Sequence, residues 1–252
     1  LTGGGQTRPL SPEETRRYAR HLVLKGMGGA GQQKLKAAKM LVVGAGGLGS
    51  PAIAALAAAG VGTLGIVDND AVSLSNLQRQ FIHRTADIGR LKVESGSAFV
   101  AALNPNVTVV LHAARLEHDN AAALLAGYDL VLDGSDSFET RVNVAEAAEM
   151  ACLPLVSGAV SMFDGQVTVF APHLKRADGS AYPGFRALYP EVPDADDLPS
   201  CEANGVLGSL TGVIGMLMAM EAIKLATGIG DPLLGRLLLY DGRAARFTEL
   251  EY

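Results

Sequence analysis

Asn76, Arg79 and Lys92 bring an amide and two cations into one stretch, with Lys92 lying 13 residues beyond Arg79. Such a set suits a ligand with several negative charges, because Arg offers a planar fork of donors and Lys a compact point charge. A nicotinamide cofactor has little use for these cations, whereas a triphosphate has more charge to neutralise, so they point to ATP rather than NAD. Acids stand on both sides of them. Asp68 closes an apolar run about 20 residues after a glycine-rich turn, where nucleotide folds place a ribose-binding carboxylate, and Asp70 is a second candidate for that task. Asp133 and Asp136 follow another apolar run, Leu130-Val-Leu. A carboxylate beside a polyphosphate commonly serves a magnesium ion, and Asp136 suits either that role or a cap for the helix that begins after Ser137.

These groups need a turn at which phosphate can approach the backbone. Gly44, Gly46 and Gly49 have the G-x-G-x-x-G spacing, with Gly47 inside it, directly after the apolar run Met40 to Val43. That run suits a strand covered on both faces. Ser50 and Pro51 are good first-turn residues for a helix reaching about Ala59, and Gly60 is placed to end it. Free N–H groups and the positive end of the helix dipole would then face the ligand. The same turn serves nicotinamide, flavin and ATP sites, so by itself it leaves the nucleotide open.

The remaining elements alternate around this turn. Thr63 to Asp68, Val107 to Leu111, Asp129 to Leu132 and Leu155 to Ser157 read as short strands; Lys92 to Leu103, Asn120 to Leu125 and Glu139 to Cys152 read as helices between them. Such alternation predicts an α/β, Rossmann-like, doubly wound and mainly parallel sheet in a single domain over 11–252. A closing hairpin, Arg236 to Asp241 and Ala245 to Leu250 around Asp241-Gly242, adds a C-terminal antiparallel extension. We divide the domain into an N-terminal helical arm (11–38), a nucleotide-binding core (39–160) and a crossover segment with the C-terminal part (161–252). In the arm, Ser11-Pro-Glu-Glu opens a helix that continues through His21 as a solvated basic surface, Lys25 to Gly31 is a glycine-rich loop, and Gln32 to Ala38 is a short helix. Pro172 to Ser200 holds five of the 11 prolines and the acids Asp194, Asp196 and Asp197, so it reads as a long surface segment. Next comes Cys201, close to the start of the apolar helix Val206 to Met220, where a thiolate is favoured. Gly208, Ser209, Gly212 and Gly215 would give that helix a smooth packing face, and Glu221 and Lys224 follow it at once, so a buried helix is expected rather than a membrane span.

Lys and Arg number 21 against 26 acids, a net charge of −5 without blocks of like charge, so neither nucleic acid nor an anionic membrane is an expected partner. Two cysteines make no disulfide framework and no secretory signal opens the chain, which fits the cytoplasm. The five histidines are scattered, none at zinc-ligand spacing with a cysteine.

With these residues in hand, the sequence resembles the MoeB/ThiF family of ubiquitin-like-protein activating enzymes. Carrying the resemblance, in order, are Arg17-Tyr-Ala-Arg20, Gly44-Ala-Gly-Gly-Leu-Gly49, Asp68 to Gln80, Lys92-Val-Glu, Asp133-Gly-Ser-Asp136, Gly165 to Phe170 and Cys201-Glu-Ala-Asn-Gly. The resemblance implies ATP-dependent adenylation of the C-terminal glycine of a small sulfur-carrier protein similar to MoaD or ThiS, with release of pyrophosphate. It implies that Gly44, Gly46, Gly47 and Gly49 shape the nucleotide turn, that Asp68 holds the ribose, and that Asn76, Arg79 and Lys92 neutralise the polyphosphate. Asp136 would hold Mg2+ near the attacked α-phosphate. Arg20 would reach the γ-phosphate bound to the other subunit, which requires a homodimer. Cys201 matches a cysteine that some members use for a covalent step.

One departure is clear. Relatives carry two CxxC pairs around a structural zinc, and where the first would fall this chain reads Pro183-Gly184-Phe-Arg-Ala187-Leu, with no later pair. Glycine and alanine cannot bind zinc, so a zinc-free member is expected. No rhodanese-like domain follows, so sulfur delivery would fall to a separate donor protein. Competing readings are an ATP-dependent activator of another carboxylate, a noncatalytic ubiquitin-like-protein scaffold and a nicotinamide oxidoreductase.

Overall fold

The computed structural model describes residues 9–191 and 205–252. Eight strands form one sheet in the order β3-β2-β1-β4-β5-β6-β7-β8. Its parallel part comprises β1 (Lys39–Val43), β2 (Thr63–Val67), β3 (Thr108–His112), β4 (Leu130–Asp133) and β5 (Leu155–Ser161). The antiparallel extension comprises β6 (Asp164–Phe170), β7 (Arg236–Asp241) and β8 (Arg246–Glu251). The expected fold class is therefore the one observed.

The central strands are apolar throughout because both faces are covered. Met40, Val42, Leu64, Ile66, Leu130 and Leu132 point into one core, shared with α4 (Gly49–Ala59), α5 (Lys92–Leu103) and the long α9 (Gly208–Thr227). Their alternates Leu41, Val43, Val67 and Val131 point into a second core with α6 (His118–Leu125), α7 (Phe138–Met150) and α8 (Phe185–Leu188). Sheet order reverses between β1 and β4, so the ends of these two strands open a crevice where open α/β sheets bind ligands.

Five local expectations change. The basic helix is split into α1 (Pro12–Arg17) and α2 (Ala19–Leu22) at Tyr18, which leaves helical geometry and is buried. Its ring lies against Gly60, where an added Cβ would come within 2.4 Å of the phenol, and its hydroxyl accepts a hydrogen bond from Asn104 Nδ2 at 2.9 Å. The glycine-rich stretch is not all loop, because α3 begins at Gly28 and runs Gly28–Ala37. A Cβ on Gly31 would sit 2.6 Å from Met27 Sδ, so the methionine side chain would have to shift to admit one.

The apolar helix does not stop at Met220 but continues to Thr227, because Glu221 pairs with Lys224 and accepts the Leu233 N–H at 2.8 Å. On its expected smooth face, Gly215 meets Pro51 and the Leu48 carbonyl, and Gly208 meets the Gln78 carbonyl; Ser209 is exposed and a Cβ on Gly212 would meet nothing within 4 Å. Of the proline-rich segment, Phe185 is buried rather than superficial, while Asp194, Asp196 and Asp197 lie outside the described residues.

Candidate nucleotide site

The glycine turn is fixed from both sides before any ligand is considered. The Gly44 N–H donates to Val67 O at 2.8 Å and the Gly134 N–H to Val43 O at 2.9 Å, so the turn is held between the ends of β2 and β4. Gly44 has φ of +89°, which favours glycine, and a Cβ there would lie 3.1 Å from Gly134 O. At Gly49 a Cβ would fall 1.7 Å from Gly44 O, and at Gly47 it would meet Thr211 of α9 at 3.1 Å. Among the described residues, the N–H groups of Gly46, Gly47, Leu48 and Gly49 have no acceptor. Four donors at the start of an 11-residue helix make an anion cradle.

Asp68 sits at the end of β2 and ties the turn down. One carboxylate oxygen accepts the Ala45 N–H at 2.8 Å and the other accepts the Asp70 N–H at 2.9 Å. Burial pushes the Asp68 carboxyl above its usual range, against the pull of nearby Lys92 and the two N–H donors. A carboxylate retains lone pairs after two such bonds, so ribose hydroxyls remain within its capacity.

Lys92 opens α5 and is 5% exposed. Its ammonium donates to Asp70 Oδ2 at 2.7 Å, and its N–H donates to Asp70 O at 2.9 Å. A buried ammonium needs such a partner. Asn76 is buried in the 3₁₀ turn Leu74–Asn76, where its Oδ1 accepts the Ser73 N–H at 3.3 Å. Arg79 follows; its Cδ lies 3.5 Å from a Cβ built on Gly47, and its guanidinium donates to Ser75 O at 3.1 Å. Gln80 is 3% exposed, with Nε2 3.7 Å from a Cβ built on Gly46 and Oε1 unpartnered among the described residues. A buried carbonyl oxygen without a donor at the rim of the cradle fits a site completed by a ligand.

At the end of β4, Asp133 Oδ1 accepts from the Ser135 N–H at 3.0 Å and from its hydroxyl at 2.6 Å, while Oδ2 is buried without a partner among the described residues. Burial raises the Asp133 carboxyl, opposed by Arg141 and the Ser135 donors. Asp136, the predicted magnesium ligand, is exposed on the same loop, which Gly134 holds against the turn. Ser137, not Asp136, caps α7, accepting the Thr140 N–H at 3.3 Å. Arg20 is exposed on α2, which packs on α3. Cys201 lies outside the described residues.

Sequence reasoning missed His83. It is 5% exposed; its Nε2 donates to Ala45 O at 3.0 Å and its Nδ1 meets Ser95 Oγ at 2.9 Å. No spacing signals this residue, because its partners are 38 residues before it and 12 after it in sequence. Asp70 was visible as a second acid beside Asp68, but its role as the counter-ion of Lys92 was not.

A parallel strand, a glycine turn and a helix whose first N–H groups have no acceptor among the described residues, with Asp68, Arg79 and Lys92 nearby, place the chain in the doubly wound class, in which such turns commonly meet nucleotides. The ThiF family profile matches residues 18–252, and the chain belongs to that family. It is 51% identical over 232 residues to a protein of Mycobacterium tuberculosis named "Probable adenylyltransferase/sulfurtransferase MoeZ", covering 92% of this chain and 58% of that protein. The chain thus spans somewhat over half the length of that relative. It is 47% identical over 238 residues to the "Sulfur carrier protein adenylyltransferase" of Thermus thermophilus, covering 94% of this chain and 87% of that protein. The crystal structure of PaaA superposes with a TM-score of 0.80 over 100% of this chain and 77% of that one at 22% identity, a likeness of fold alone.

Proposed function

We propose that this chain adenylates the C-terminal glycine carboxylate of a small ubiquitin-like sulfur-carrier protein at the expense of ATP. The observation that carries the reading is the buried Lys92 ammonium beside a glycine turn with four N–H groups unpaired among the described residues, a combination suited to a polyphosphate. The name of the Thermus relative, which this chain matches over most of its length, supports a carrier protein as the other substrate.

In the proposed step a carboxylate oxygen of the carrier forms a bond to the α-phosphorus while the bond to the β-phosphate oxygen breaks. The products are an acyl-adenylate and pyrophosphate. A carboxylate is a poor electrophile, and its mixed anhydride with AMP is a good one. Two anions must meet, so the protein contributes position and charge neutralisation. The N–H groups of Gly46 and Gly47 face the phosphates, Asp68 accepts from the ribose, and Asn76, Arg79 and Lys92 surround the β- and γ-phosphates. Asp136 would hold Mg2+, which when bound spreads the charge of the leaving pyrophosphate. Arg20 of the partner subunit would complete the γ-phosphate site in a homodimer.

Cys201 is the candidate for a covalent step, and Cys201→Ala tests it: full thiocarboxylate formation by the variant excludes that role. We further infer a zinc-free crossover. Supporting this, Phe185 stands between Gly184 and Ala187, packing on Phe170 at 5.5 Å and Tyr189 at 4.8 Å between ring centroids. Tyr252 joins the same cluster against Phe170 and bonds Thr168 Oγ1 at 2.7 Å; burial pushes its hydroxyl up to about 12. One zinc per subunit in metal analysis would overturn this.

Binding of ATP to the purified protein, measured by calorimetry alongside its Lys92→Ala and Arg79→Ala variants, tests the nucleotide half of the reading. Wild-type protein should bind ATP and both variants should lose most of that affinity; binding of NAD in preference to ATP contradicts it.

A further inference from the structure

The hydrogen bonds around the turn close into a ring that the roles above do not use in full. Lys92 Nζ donates to Asp70, the Asp70 N–H donates to Asp68 Oδ1, and Asp68 Oδ2 accepts the Ala45 N–H. From the carbonyl side of the same residue, Ala45 O accepts from His83 Nε2, and His83 Nδ1 meets Ser95 Oγ. Ser95 is three residues after Lys92 on α5, so the ring returns to the helix it left. Ala45 is the only residue of the turn whose N–H and carbonyl are both bonded to side chains among the described residues.

We propose that His83 is a positioning residue for the nucleotide: by donating from Nε2 to Ala45 O it holds that carbonyl away from the cradle and keeps the Gly46 N–H, which lies in the same peptide, aimed at phosphate. The chemistry fixes the donor. A carbonyl can only accept, so Nε2 carries the hydrogen; in the neutral ring Nδ1 is an acceptor facing the Ser95 hydroxyl, for whose one hydrogen the Asp87 carboxylate competes. Without the imidazole, the Ala45–Gly46 peptide keeps only the weaker contact from Ser50 Oγ to Ala45 O at 3.4 Å, because the Ala45 N–H bonded to Asp68 belongs to the preceding peptide. Rotation of that peptide would turn an oxygen toward the phosphates in place of an N–H. Because Ser95 lies on α5, the same ring sets the distance between the cradle and Lys92, so His83 acts on both halves of the phosphate site without touching the ligand.

The inference rests on the ATP reading above, and its test separates the two. ATP affinity and the KM and kcat of ATP–pyrophosphate exchange are measured for the wild type, His83→Ala, His83→Gln and His83→Met. Glutamine retains an N–H donor of similar reach; methionine retains volume without one. We expect His83→Ala and His83→Met to weaken ATP binding at least about fivefold and to raise KM for ATP more than they lower kcat, with His83→Gln restoring affinity to within about twofold of wild type. Should the alanine variant fail to fold, the glutamine and methionine pair decides alone. Wild-type ATP affinity in the methionine variant, or equal loss in the glutamine and methionine variants, overturns the proposal. Failure of the wild type to bind ATP overturns the ATP reading instead.

Discussion

The ammonium of Lys92 lies 2.7 Å from Asp70 Oδ2 and is almost wholly buried, whereas the Asp70 side chain is 60% exposed. The pair is therefore asymmetric: the cation has nowhere else to go, while the anion has water. In the proposed site a phosphate arriving at the cradle would compete with Asp70 for Lys92, and Asp70 could be released at little cost. Replacing Asp70 with Asn should leave Lys92 short of a partner, destabilise the ligand-free protein by about 1 kcal/mol and tighten ATP several-fold. Thermal unfolding with and without ATP reads both effects; equal or weaker ATP stabilisation in the variant would show that Lys92 does not serve phosphate.

Gly49 and Gly46 should behave oppositely although both belong to one motif. An alanine at 49 would drive its Cβ into a backbone oxygen, at 1.7 Å from Gly44 O, and neither atom can yield. Gly49→Ala is expected to cost more than about 3 kcal/mol or to abolish folding. An alanine at 46 meets only the end of a Gln80 side chain at 3.7 Å, so Gly46→Ala should remain within about 0.5 kcal/mol of wild type while weakening ATP. Denaturant unfolding joined to ATP titration checks the pair.

Much of this was legible in the sequence because it is local. Strands buried on both faces write themselves as unbroken apolar runs, and the start of α5 at Lys92 and its end at Leu103 were both readable from residue type. The cations, the turn and Asp68 also announce themselves by spacing. What stayed hidden depends on tertiary contact. Tyr18 breaks the first helix because of Gly60 and Asn104, and Gly28 joins α3 although glycine is a poor helix former. His83 is recognisable only once β1 and α5 are packed on either side of it.

His83 also predicts a pH dependence of stability. Burial holds its imidazole below the ordinary value of 6.5, partly offset by the bond to Ala45, while Lys92 on α5 opposes protonation and Asp68 and Asp87 favour it. A lowered histidine means that the unfolded chain binds the proton first. The contribution is complete above about pH 6.5 and falls away as pH drops through the lower folded value. Denaturation midpoints from pH 8 down to about pH 5 should decline less steeply in His83→Gln than in wild type; parallel curves would refute the assignment.

Phe185 anchors the crossover in the aromatic cluster formed with Phe138, Phe170 and Tyr189. Truncation to alanine removes a ring that is 4% exposed, for an expected loss of about 3–5 kcal/mol. Chelator treatment of the wild type should leave the melting temperature unchanged, and a drop on chelation would mean that a metal shares the work.

The central claim is adenylation of a protein carboxylate, and ATP–pyrophosphate exchange measures it most directly. The assay is run with and without a small ubiquitin-like carrier ending in Gly-Gly from the same genome. Exchange that appears only when the carrier is present, and disappears in Lys92→Ala, is the expected result; exchange without any carrier, or none under either condition, contradicts it.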